Sequence, residues 1–454
     1  LSITFIPIFT HYLTQKKESE AWQTFSNILC SFSLLLMIFI GFTLLFAESF
    51  IGVTGIESEE TVREAVRMTR IIIPAQLFFF IGGLLMAVQF AKEKFFAPAL
   101  APLFYNGSII VVGWLLYPVL GMEAFSWGVL FGAFLGNFLI QWFGARGSGL
   151  RFHFTLNLKH PDLKKYIILT LPLMLGLTMT FSTEIFPKLF GSYLPAGSVA
   201  SFNYGLRIMF LLVGLFGQAV GVASYPYLSK LAAEKKFESM NDLLNTTLRH
   251  VALVVPISIL IVVLRTEVVY VIFQRGEFDP VSTSQTSSIL IFLMVGAFGF
   301  TAQTIVNRGF YAMQNTLFPT IYVSLAVILT LPLYYLGMQR MGINGVALAL
   351  SISTIIQVVF LYIMWNRKSA NAGSRDVYLI YVKVAALSIA DGIIVFKMKQ
   401  MLLSAIPSDT LIGCFLNLTI VSVIFSTIFL LLAYIFKVEE LFQLINRVTT
   451  RIKK

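Results

Sequence analysis

Long apolar stretches follow one another along almost the whole chain, and short polar segments separate them. A helix needs about 20 predominantly apolar residues to cross the roughly 30 Å hydrocarbon core of a bilayer. The pattern predicts twelve complete membrane-spanning helices, at 25–47, 68–90, 97–120, 122–143, 166–190, 198–225, 248–273, 284–311, 319–338, 342–365, 376–397 and 410–436. Residues 1–13 are apolar but too short to span, and we interpret them as the end of one further helix.

The composition excludes a water-soluble protein. Hydrophobic residues make up 57% of the chain, charged residues only 12%, and the mean hydropathy is +0.83. Soluble domains carry about 25% charged residues, so this chain has too few charges to cover a surface exposed to water. The same values exclude a disordered chain, a coiled coil and a collagen-like fibre. We expect an integral, multi-pass membrane protein.

Lysine and arginine are concentrated in alternate loops. Twenty-one of them lie in one set of loops and the tail 437–454, whereas eight lie in the opposite set. Because basic loops remain on the cytoplasmic side, the first set is predicted to be cytoplasmic. This bias accounts for the net charge of +11. The basic segment 144–165 either attracts anionic headgroups of the inner leaflet or acts only as a positive-inside anchor.

The chain contains an internal repeat. The sequence around Pro7 with Lys16-Lys17 recurs around Pro226 with Lys235-Lys236. Three further short matches occur in the same order and at nearly the same offset along the chain. These matches pair Thr54-Gly55 with Arg275-Gly276, Phe90-Ala91 and Pro98 with Tyr311-Ala312 and Pro319, and Gly121 with Gly342. Equivalent loops fall on the same side, which is typical of parallel repeats related by an axis along the membrane normal.

The repeat predicts the organisation of an all-α polytopic membrane protein. Two six-helix lobes, related by a pseudo-two-fold axis along the membrane normal, are followed by two additional helices. The full chain is expected to have 14 spans, of which about 12.5 are present, with the first helix and part of the second missing from the front. The predicted parts are a lobe at 1–143, a cytoplasmic linker at 144–165, a lobe at 166–365, two helices at 376–436 and a basic tail at 437–454.

Among the ionisable residues inside the predicted spans, where charges are costly and usually face a cavity or one another, six are candidates for a functional role. They are Glu184, Lys188, Arg207, Arg308, Lys383 and Asp391. Glu184 and Lys188 are one helical turn apart, so they share a face and either form a structural ion pair or line a cavity. Lys383 and Asp391 also share a face, and we expect a structural pair there. Four of the six are basic, which favours a diphosphate over a cationic drug as substrate.

Arg207 is the strongest candidate for binding an anion. Its helix carries no acidic residue within one turn of it. An arginine at this depth either anchors its helix to a neighbour or binds an anionic substrate, and its planar guanidinium suits phosphate. Arg308 lies near the inner end of its span, where it either extends its charge to the membrane surface or acts as an inner gate.

No metal, cofactor or nucleotide site is indicated. Cys30 and Cys414 each lie within an apolar stretch, and the four histidines are far apart in sequence. The chain has no CxxC motif, no Walker A loop and no GxGxxG motif after a strand. We therefore expect no cofactor, no bound metal and no transport driven by ATP bound to this chain.

Several segments, spread in order over essentially the whole chain, resemble the MurJ/MviN family of lipid II flippases. They are Phe5-Ile-Pro-Ile-Phe, Lys94-Phe-Phe-Ala-Pro-Ala-Leu-Ala-Pro through Asn106, Gly197-Ser-Val through Tyr204-Gly-Leu-Arg207, Phe273-Gln-Arg-Gly-Glu-Phe, and Gly309-Phe-Tyr-Ala-Met-Gln-Asn-Thr with Pro319. The two additional helices are also typical of this family within its superfamily, because the multidrug exporters usually end after twelve.

The resemblance implies a V-shaped transporter that moves lipid II, an undecaprenyl-diphosphate-linked disaccharide-pentapeptide, from the inner to the outer leaflet. It implies alternating access in the bacterial inner membrane, with no covalent chemistry. Implied partners are lipid II, membrane lipids and the cell-wall synthesis machinery, and no nucleic acid. The family's essential arginine on the eighth helix matches Arg207, and Lys188 and Glu184 are expected beside it in the central cavity. The family's other signature arginines match positions before Leu1.

Some family members hold an ion with Asp or Asn on the seventh and eleventh helices. The matching positions here are Pro187, Val327 and Leu331, so the resemblance does not imply sodium coupling at that site. Two other functions stay open from the residues alone. One is a flippase for another polyprenyl-linked oligosaccharide, of the O-antigen type. The other is an ion-coupled exporter of small molecules, for which Glu184 is the best coupling carboxylate. A membrane scaffold without transport fits the buried charges least well.

Overall fold

The computed structural model describes residues 2–52, 59–180, 186, 189–191, 193–195, 197–402 and 410–438. Within these ranges every regular element is a helix. The first helices are α1 Ser2–Thr14, α2 Glu18–Leu45, α3 Ala47–Gly52, α4 Glu59–Ile72, α5 Ala75–Ala91, α6 Phe96–Leu120, α7 Glu123–Gly132, α8 Ile140–Arg146 and α9 Pro161–Thr180. A π-helical stretch, Ala133–Leu139, joins α7 to α8.

The later helices follow the same pattern. They are α10 Ser198–Val213, α11 Ala219–Ala233, α12 Phe237–Val251, α13 Val254–Val263, α14 Arg265–Phe273, α15 Pro280–Ala312, α16 Leu317–Met341, α17 Ile343–Ser369, α18 Ser374–Leu402 and α19 Leu411–Ile435. A second π-helical stretch, Gly214–Gln218, joins α10 to α11. Eleven stretches of the described chain are long and apolar enough to span a bilayer. The prediction of an all-α polytopic membrane protein is confirmed.

Two predicted spans differ from the structure. The span at 166–190 begins in α9, and much of its second half falls outside the described residues. The span predicted to begin at 248 belongs to a longer helical stretch that begins at Phe237. Its first turns are polar in sequence, but Asn241 accepts a hydrogen bond from the Trp365 indole at 3.0 Å. The prediction from apolar residues alone therefore started this helix too late. Its polar first turns are helical because their side chains form hydrogen bonds with other parts of the protein.

The chain forms two compact units. The first contains Leu1–Leu171 with the short segments Ser229–Lys235 and Tyr311–Gln314, and the second contains Pro172–Leu228, Lys236–Phe310 and Asn315–Lys454. Aromatic rings of α1 and α2 pack in the core of the first unit, where the Phe9 and Trp22 ring centroids are 5.2 Å apart. In the second unit α15 contributes the buried residues Leu290, Leu293 and Ala297 to the main core. The predicted domain boundaries stay predictions.

The backbone carries the internal repeat that the sequence predicts. Lys16 and Lys235, which are equivalent in the two repeats, both adopt a positive φ, of 59° and 58°. The equivalent glycines Gly121 and Gly342 have φ of 56° and 58°. In both repeats the backbone amide of this glycine donates to the carbonyl four residues earlier. The distance is 2.8 Å from Gly121 to Tyr117 and 2.9 Å from Gly342 to Met338. Because residues with a positive φ are uncommon outside tight turns, their recurrence at equivalent positions supports a duplicated fold.

An asparagine pair recurs in both units. In the first, Asn27 of α2 donates to the carbonyl of Asn157 at 3.0 Å, and its side-chain oxygen accepts from the Asn157 amide at 2.7 Å. In the second, the Asn245 and Asn371 side chains bond each other, at 2.8 and 2.9 Å. Each pair ties a long helix to the segment that follows the last helix of its repeat.

Candidate functional site

Arg207 lies on the exposed face of α10. The opposite face of this helix buries Phe202, Leu206 and Met209 in the core of the second unit. Arg207 therefore points away from that core, and its guanidinium lies 5.6 Å from the centre of the Tyr204 ring, one turn earlier. Within the part of the chain that the structure describes, Arg207 makes no hydrogen bond and no ion pair. This guanidinium has its donors available for an anion.

The π-helical stretch follows directly after α10. It positions Gln218 on the exposed side, while Gly217 packs against the backbone of Thr301. A Cβ added at Gly217 would lie 3.1 Å from the Thr301 Cα, so the small residue permits close approach of α15. π-Helical turns are frequent at functional sites because they change which side chains share a face.

Arg308 of α15 is buried against the start of α11. Its side chain is 8% exposed, and its Nη2 donates to the Gln218 Oε1 at 3.3 Å. The guanidinium lies 5.6 Å from the Tyr225 ring centre. A Cβ added at Gly221 would lie 2.7 Å from the Arg308 Nε, so only glycine leaves room for this side chain. Arg308 is thus packed within the second unit, and its role at the inner end of the span stays a prediction.

The two basic side chains lie at different depths. Gly221, beside Arg308, follows Arg207 by about four helical turns along one continuous helical stretch, Ser198–Ala233. At about 5.4 Å per turn this separation is about 20 Å. The two basic side chains are therefore at separate positions along this helical stretch. Glu184 and Lys188, which the sequence places near Arg207, lie outside the described residues, so their role stays a prediction.

The region around Val327 of α16 contains neutral polar groups. Val327 is buried on α16, and next to it along the helix Thr330 shares a hydrogen bond of 2.7 Å with Ser353 of α17. Gln357 donates to Ser353 at 3.0 Å and accepts from Gln303 of α15 at 3.0 Å. Among the described residues no three His, Cys, Asp or Glu side chains could jointly hold a metal ion. Pro187 is outside the described ranges.

Lys383 and Asp391 do not pair, so the predicted ion pair is wrong. Lys383 donates to the carbonyl of Lys437 at 3.0 Å and is partly exposed, whereas Asp391 is 0% exposed. Neither carboxylate oxygen of Asp391 has a hydrogen-bond partner among the described residues. Eight residues of helix correspond to about 12 Å, so two residues at this spacing share a face but do not touch.

The sequence analysis missed an ion pair between α14 and α18. The Lys399 Nζ lies 2.6 Å from the Glu267 Oε1, and the Glu267 side chain is buried. Lys399 also donates to the carbonyl of Val263 at 3.3 Å. The two charged residues are far apart in sequence, and both lie near predicted span ends, where charges are ordinary. A second contact, from the Tyr381 hydroxyl to the Leu248 carbonyl at 3.1 Å, also fixes α18 beside α12 and α13.

An apolar cavity lies between α18 and the core helices of the second unit. Its volume is about 140 Å³. The residues that line it are Leu248, Phe298, Ala302, Val306, Val358, Val359, Tyr362, Val377, Tyr378, Tyr381 and Val382. The last four belong to α18, the first of the two additional helices, so that helix provides one wall of an apolar recess.

Comparison with known proteins gives one consistent result. The family model described as lipid II flippase MurJ matches residues 1–415. A probable lipid II flippase MurJ of Buchnera aphidicola subsp. Baizongia pistaciae is 24% identical over 410 residues, which cover 89% of this chain and 80% of the relative. The lipid II flippase MurJ of Burkholderia cenocepacia is 24% identical over 401 residues, which cover 86% of this chain and 78% of the relative.

Solved structures share the fold. The structure of lipid II flippase MurJ in an inward closed conformation superposes with a TM-score of 0.66 at 23% identity, covering 96% of this chain and 90% of that one. The MATE transporter VcmN of Vibrio cholerae, in its bent form, superposes with a TM-score of 0.70 at 14% identity. The superposition covers 84% of this chain and 85% of that one. At these identities the structures show a common fold alone. The family model, which matches more than nine-tenths of the sequence, shows the family: this chain belongs to the lipid II flippase MurJ family.

Proposed function

We propose that this multi-pass inner-membrane protein is a flippase for lipid II. It moves the undecaprenyl-diphosphate-linked disaccharide-pentapeptide from the inner to the outer leaflet, where cell-wall synthesis consumes it. Membership of the family supports this function, and one structural observation carries it. Arg207 presents an exposed guanidinium on a membrane-spanning helix, with no ion pair to any described residue.

The cost of an intramembrane arginine supports a role in binding. An arginine at the centre of a membrane helix is disfavoured by about 2.5–3.5 kcal/mol on insertion scales. If this position had no function, an apolar residue would be expected there instead of arginine. A diphosphate offers several anionic oxygens, and a guanidinium binds them through parallel N–H donors. Tyr204, which lies 5.6 Å from the guanidinium, supports its orientation through a cation–π contact.

Arg308 is proposed as an inner gate. It lies about 20 Å from Arg207 along the helical stretch, on the side of the basic loop Lys230–Lys236. Because its side chain is held by Gln218 and Tyr225, it becomes available to a headgroup only when that contact opens. The diphosphate would meet the two guanidinium groups in succession, first Arg308 and then Arg207. Glu184 and Lys188 are proposed to line the same route.

The additional helices are proposed to hold the polyprenyl tail. A tail needs an apolar surface that is continuous with the membrane, and most exposed side chains of α18 and α19 away from the ends of α18 are apolar. The 140 Å³ cavity beside α18 supports this role, because Val377 and Val382 line it together with the edges of three tyrosine rings. Movement by alternating access requires no covalent step, so we propose a transporter without enzymatic activity.

Complementation tests the proposal. The protein is expressed in a bacterium depleted of its own lipid II flippase, beside Arg207→Ala, Arg207→Lys and Arg275→Ala. Arg275 is an exposed arginine of the same unit whose side chain donates to the carbonyl of Ile272, at 3.0 Å, so it is the matched control. The wild type and Arg275→Ala should support growth, and Arg207→Ala should not. Arg207→Lys should be weaker than the wild type because it keeps the charge but loses the planar fork.

The outcomes separate the open alternatives. Full growth with Arg207→Ala at normal expression would remove the assigned role of this residue. Failure of well-expressed wild type, with rescue of a strain that lacks another polyprenyl-diphosphate flippase, would assign an O-antigen type of substrate instead. Ion-dependent efflux of small molecules with no rescue of either strain would assign an exporter.

A further inference from the structure

The linker after α8 has a regular alternation of polar and apolar residues. From Arg151 to Lys159 the sequence is Arg-Phe-His-Phe-Thr-Leu-Asn-Leu-Lys, so every even-numbered position is apolar and every odd-numbered one is polar. A period of two is typical of an extended chain with one apolar face. The structure has neither helix nor turn at residues 150–157, in agreement with that period.

The apolar side chains of this strip, defined as residues 151–159, are exposed. Phe152 is 41% exposed, Phe154 82%, Leu156 45% and Leu158 72%. Leaving four large apolar side chains exposed to water is unfavourable, by about 25 cal/mol per Å² of apolar area. Contiguous exposed apolar surface of this kind marks an interaction site with a protein or a membrane.

The strip is fixed to α2 and not free to withdraw. The backbone amide of His153 donates to the Ser26 hydroxyl at 3.2 Å, and the backbone amide of Asn157 donates to the Asn27 side chain at 2.7 Å. Ser26 and Asn27 are both buried in the first unit. Since two anchors four residues apart hold the backbone, the apolar side chains keep their outward position.

The anchors also set the depth of the strip. The exposed apolar surface of α2 begins at Leu34, seven residues after Asn27. The anchors Ser26 and Asn27 lie at the start of the predicted span 25–47, and Asn27 is about 10 Å before Leu34 at about 1.5 Å per residue, so the strip lies close to the basic edge of the apolar belt. The bilayer extends about 5–8 Å beyond each side of its hydrocarbon core as headgroup layer. Side chains as long as phenylalanine and leucine reach from the strip into this layer.

The charges around the strip are basic. Arg151 and Lys159 are its end residues, and Arg146, Lys164 and Lys165 lie in the flanking sequence. Of the acidic residues nearby, Asp162 accepts hydrogen bonds from Tyr12 and Thr24, at 2.6 and 2.8 Å, and Glu18, which lies near Arg151, is paired with Lys92. Each basic side chain near an anionic bilayer contributes about a fivefold preference for that surface. We propose that residues 151–159 are a docking strip for anionic phospholipids of the cytoplasmic leaflet. Phe154 and Leu158 insert at headgroup level, and Arg151 and Lys159 bind the phosphates.

Spin labelling of the whole protein tests this proposal without reference to the transported substrate. In a background with Cys30 and Cys414 replaced by alanine, Phe154→Cys places a nitroxide on the apolar face and Thr155→Cys places one on the opposite face. The protein is reconstituted in vesicles of phosphatidylethanolamine and phosphatidylglycerol, and in vesicles of phosphatidylcholine. Collision rates with oxygen, which partitions into lipid, and with a water-soluble nickel chelate are then measured at both positions.

In the anionic vesicles we expect the label at 154 to collide more with oxygen and at least about fivefold less with nickel than the label at 155. Replacing Arg151 and Lys159 together by glutamine, or using phosphatidylcholine, should reduce this contrast. Equal nickel access at 154 and 155 in anionic vesicles would overturn the proposal. Protection of 154 from both reagents would overturn it as well, because it would indicate a protein partner. Equal insertion in both lipids would overturn the selection of anionic lipid.

Discussion

At the scale of single residues, Arg207 and Arg308 represent two ways of keeping an arginine in a membrane protein. Arg207 is exposed on α10 with a tyrosine ring beside it, whereas Arg308 is buried against Gln218 and Tyr225. The sequence identified both, because an arginine inside an apolar stretch is conspicuous. It did not distinguish their surroundings, since the partners of Arg308 lie far away along the chain.

Gly221→Ala is expected to displace Arg308. The new Cβ would lie 2.7 Å from the Arg308 Nε, and overpacking of this kind costs about 1–3 kcal/mol. If Arg308 is the inner gate, the rate of lipid II flipping in vesicles should fall. Gly214→Ala is the matched control, because nothing lies within 4 Å of its added Cβ. Equal flipping rates of the two variants would contradict a gating role for Arg308.

Asp391→Leu is expected to stabilise the protein. The carboxyl is 0% exposed and has no partner among the described residues, and a buried unpaired polar group costs about 1–3 kcal/mol. Leucine fits the surrounding apolar cluster, in which Val384, Leu387 and Val395 lie on the same helix. The apparent melting temperature of the purified protein should rise.

Ser388→Ala serves as the control for Asp391→Leu. The Ser388 hydroxyl is also buried on α18 but donates to the carbonyl of Val384 at 2.6 Å, so its removal should not raise the melting temperature. A melting temperature that falls in Asp391→Leu would show that the carboxyl has a stabilising role.

At the scale of elements, apolar stretches predicted most helices, and the structure confirms them. One exception has a clear physical cause. The helical stretch that begins at Phe237 was placed eleven residues too late because its polar side chains are satisfied by α17 and the segment after it. Hydropathy reports how well a segment tolerates lipid, and it does not detect polar groups that are paired inside a protein. The Glu267–Lys399 pair was missed because its members are far apart in sequence and lie near predicted span ends.

Asn245→Ala is expected to destabilise the second unit. Asn245 bonds both side-chain groups of Asn371 and accepts from the Tyr362 hydroxyl at 2.8 Å. Its removal takes the donor from the Asn371 side-chain oxygen and the acceptor from the Tyr362 hydroxyl, and a buried polar group that loses its partner costs about 1–3 kcal/mol. Thermal unfolding in detergent should show a lower melting temperature than for Thr427→Ala, an exposed helical control. Equal melting temperatures would show that the asparagine pair does not hold this helix end.

At the scale of the whole molecule, the duplication was visible in sequence at four short matches, and recurring backbone conformations support it. Lys16 and Lys235, and Gly121 and Gly342, turn the chain in the same way in the two repeats. Such turns recur because they depend on local residues. By contrast, the substrate could not be derived from the spans, since MATE transporters share this fold. The residues that resemble the family, and the family match itself, were needed to name lipid II.

Lipid II flipping by the purified protein is the most direct test of the central claim that Arg207 binds the diphosphate of the transported lipid. Vesicles with labelled lipid II are prepared with the wild type, Arg207→Ala or Arg275→Ala, and exposure at the opposite leaflet is followed over time. The account predicts equal flipping by the wild type and Arg275→Ala, and loss of flipping in Arg207→Ala at equal reconstitution. Flipping by Arg207→Ala at the wild-type rate would contradict it.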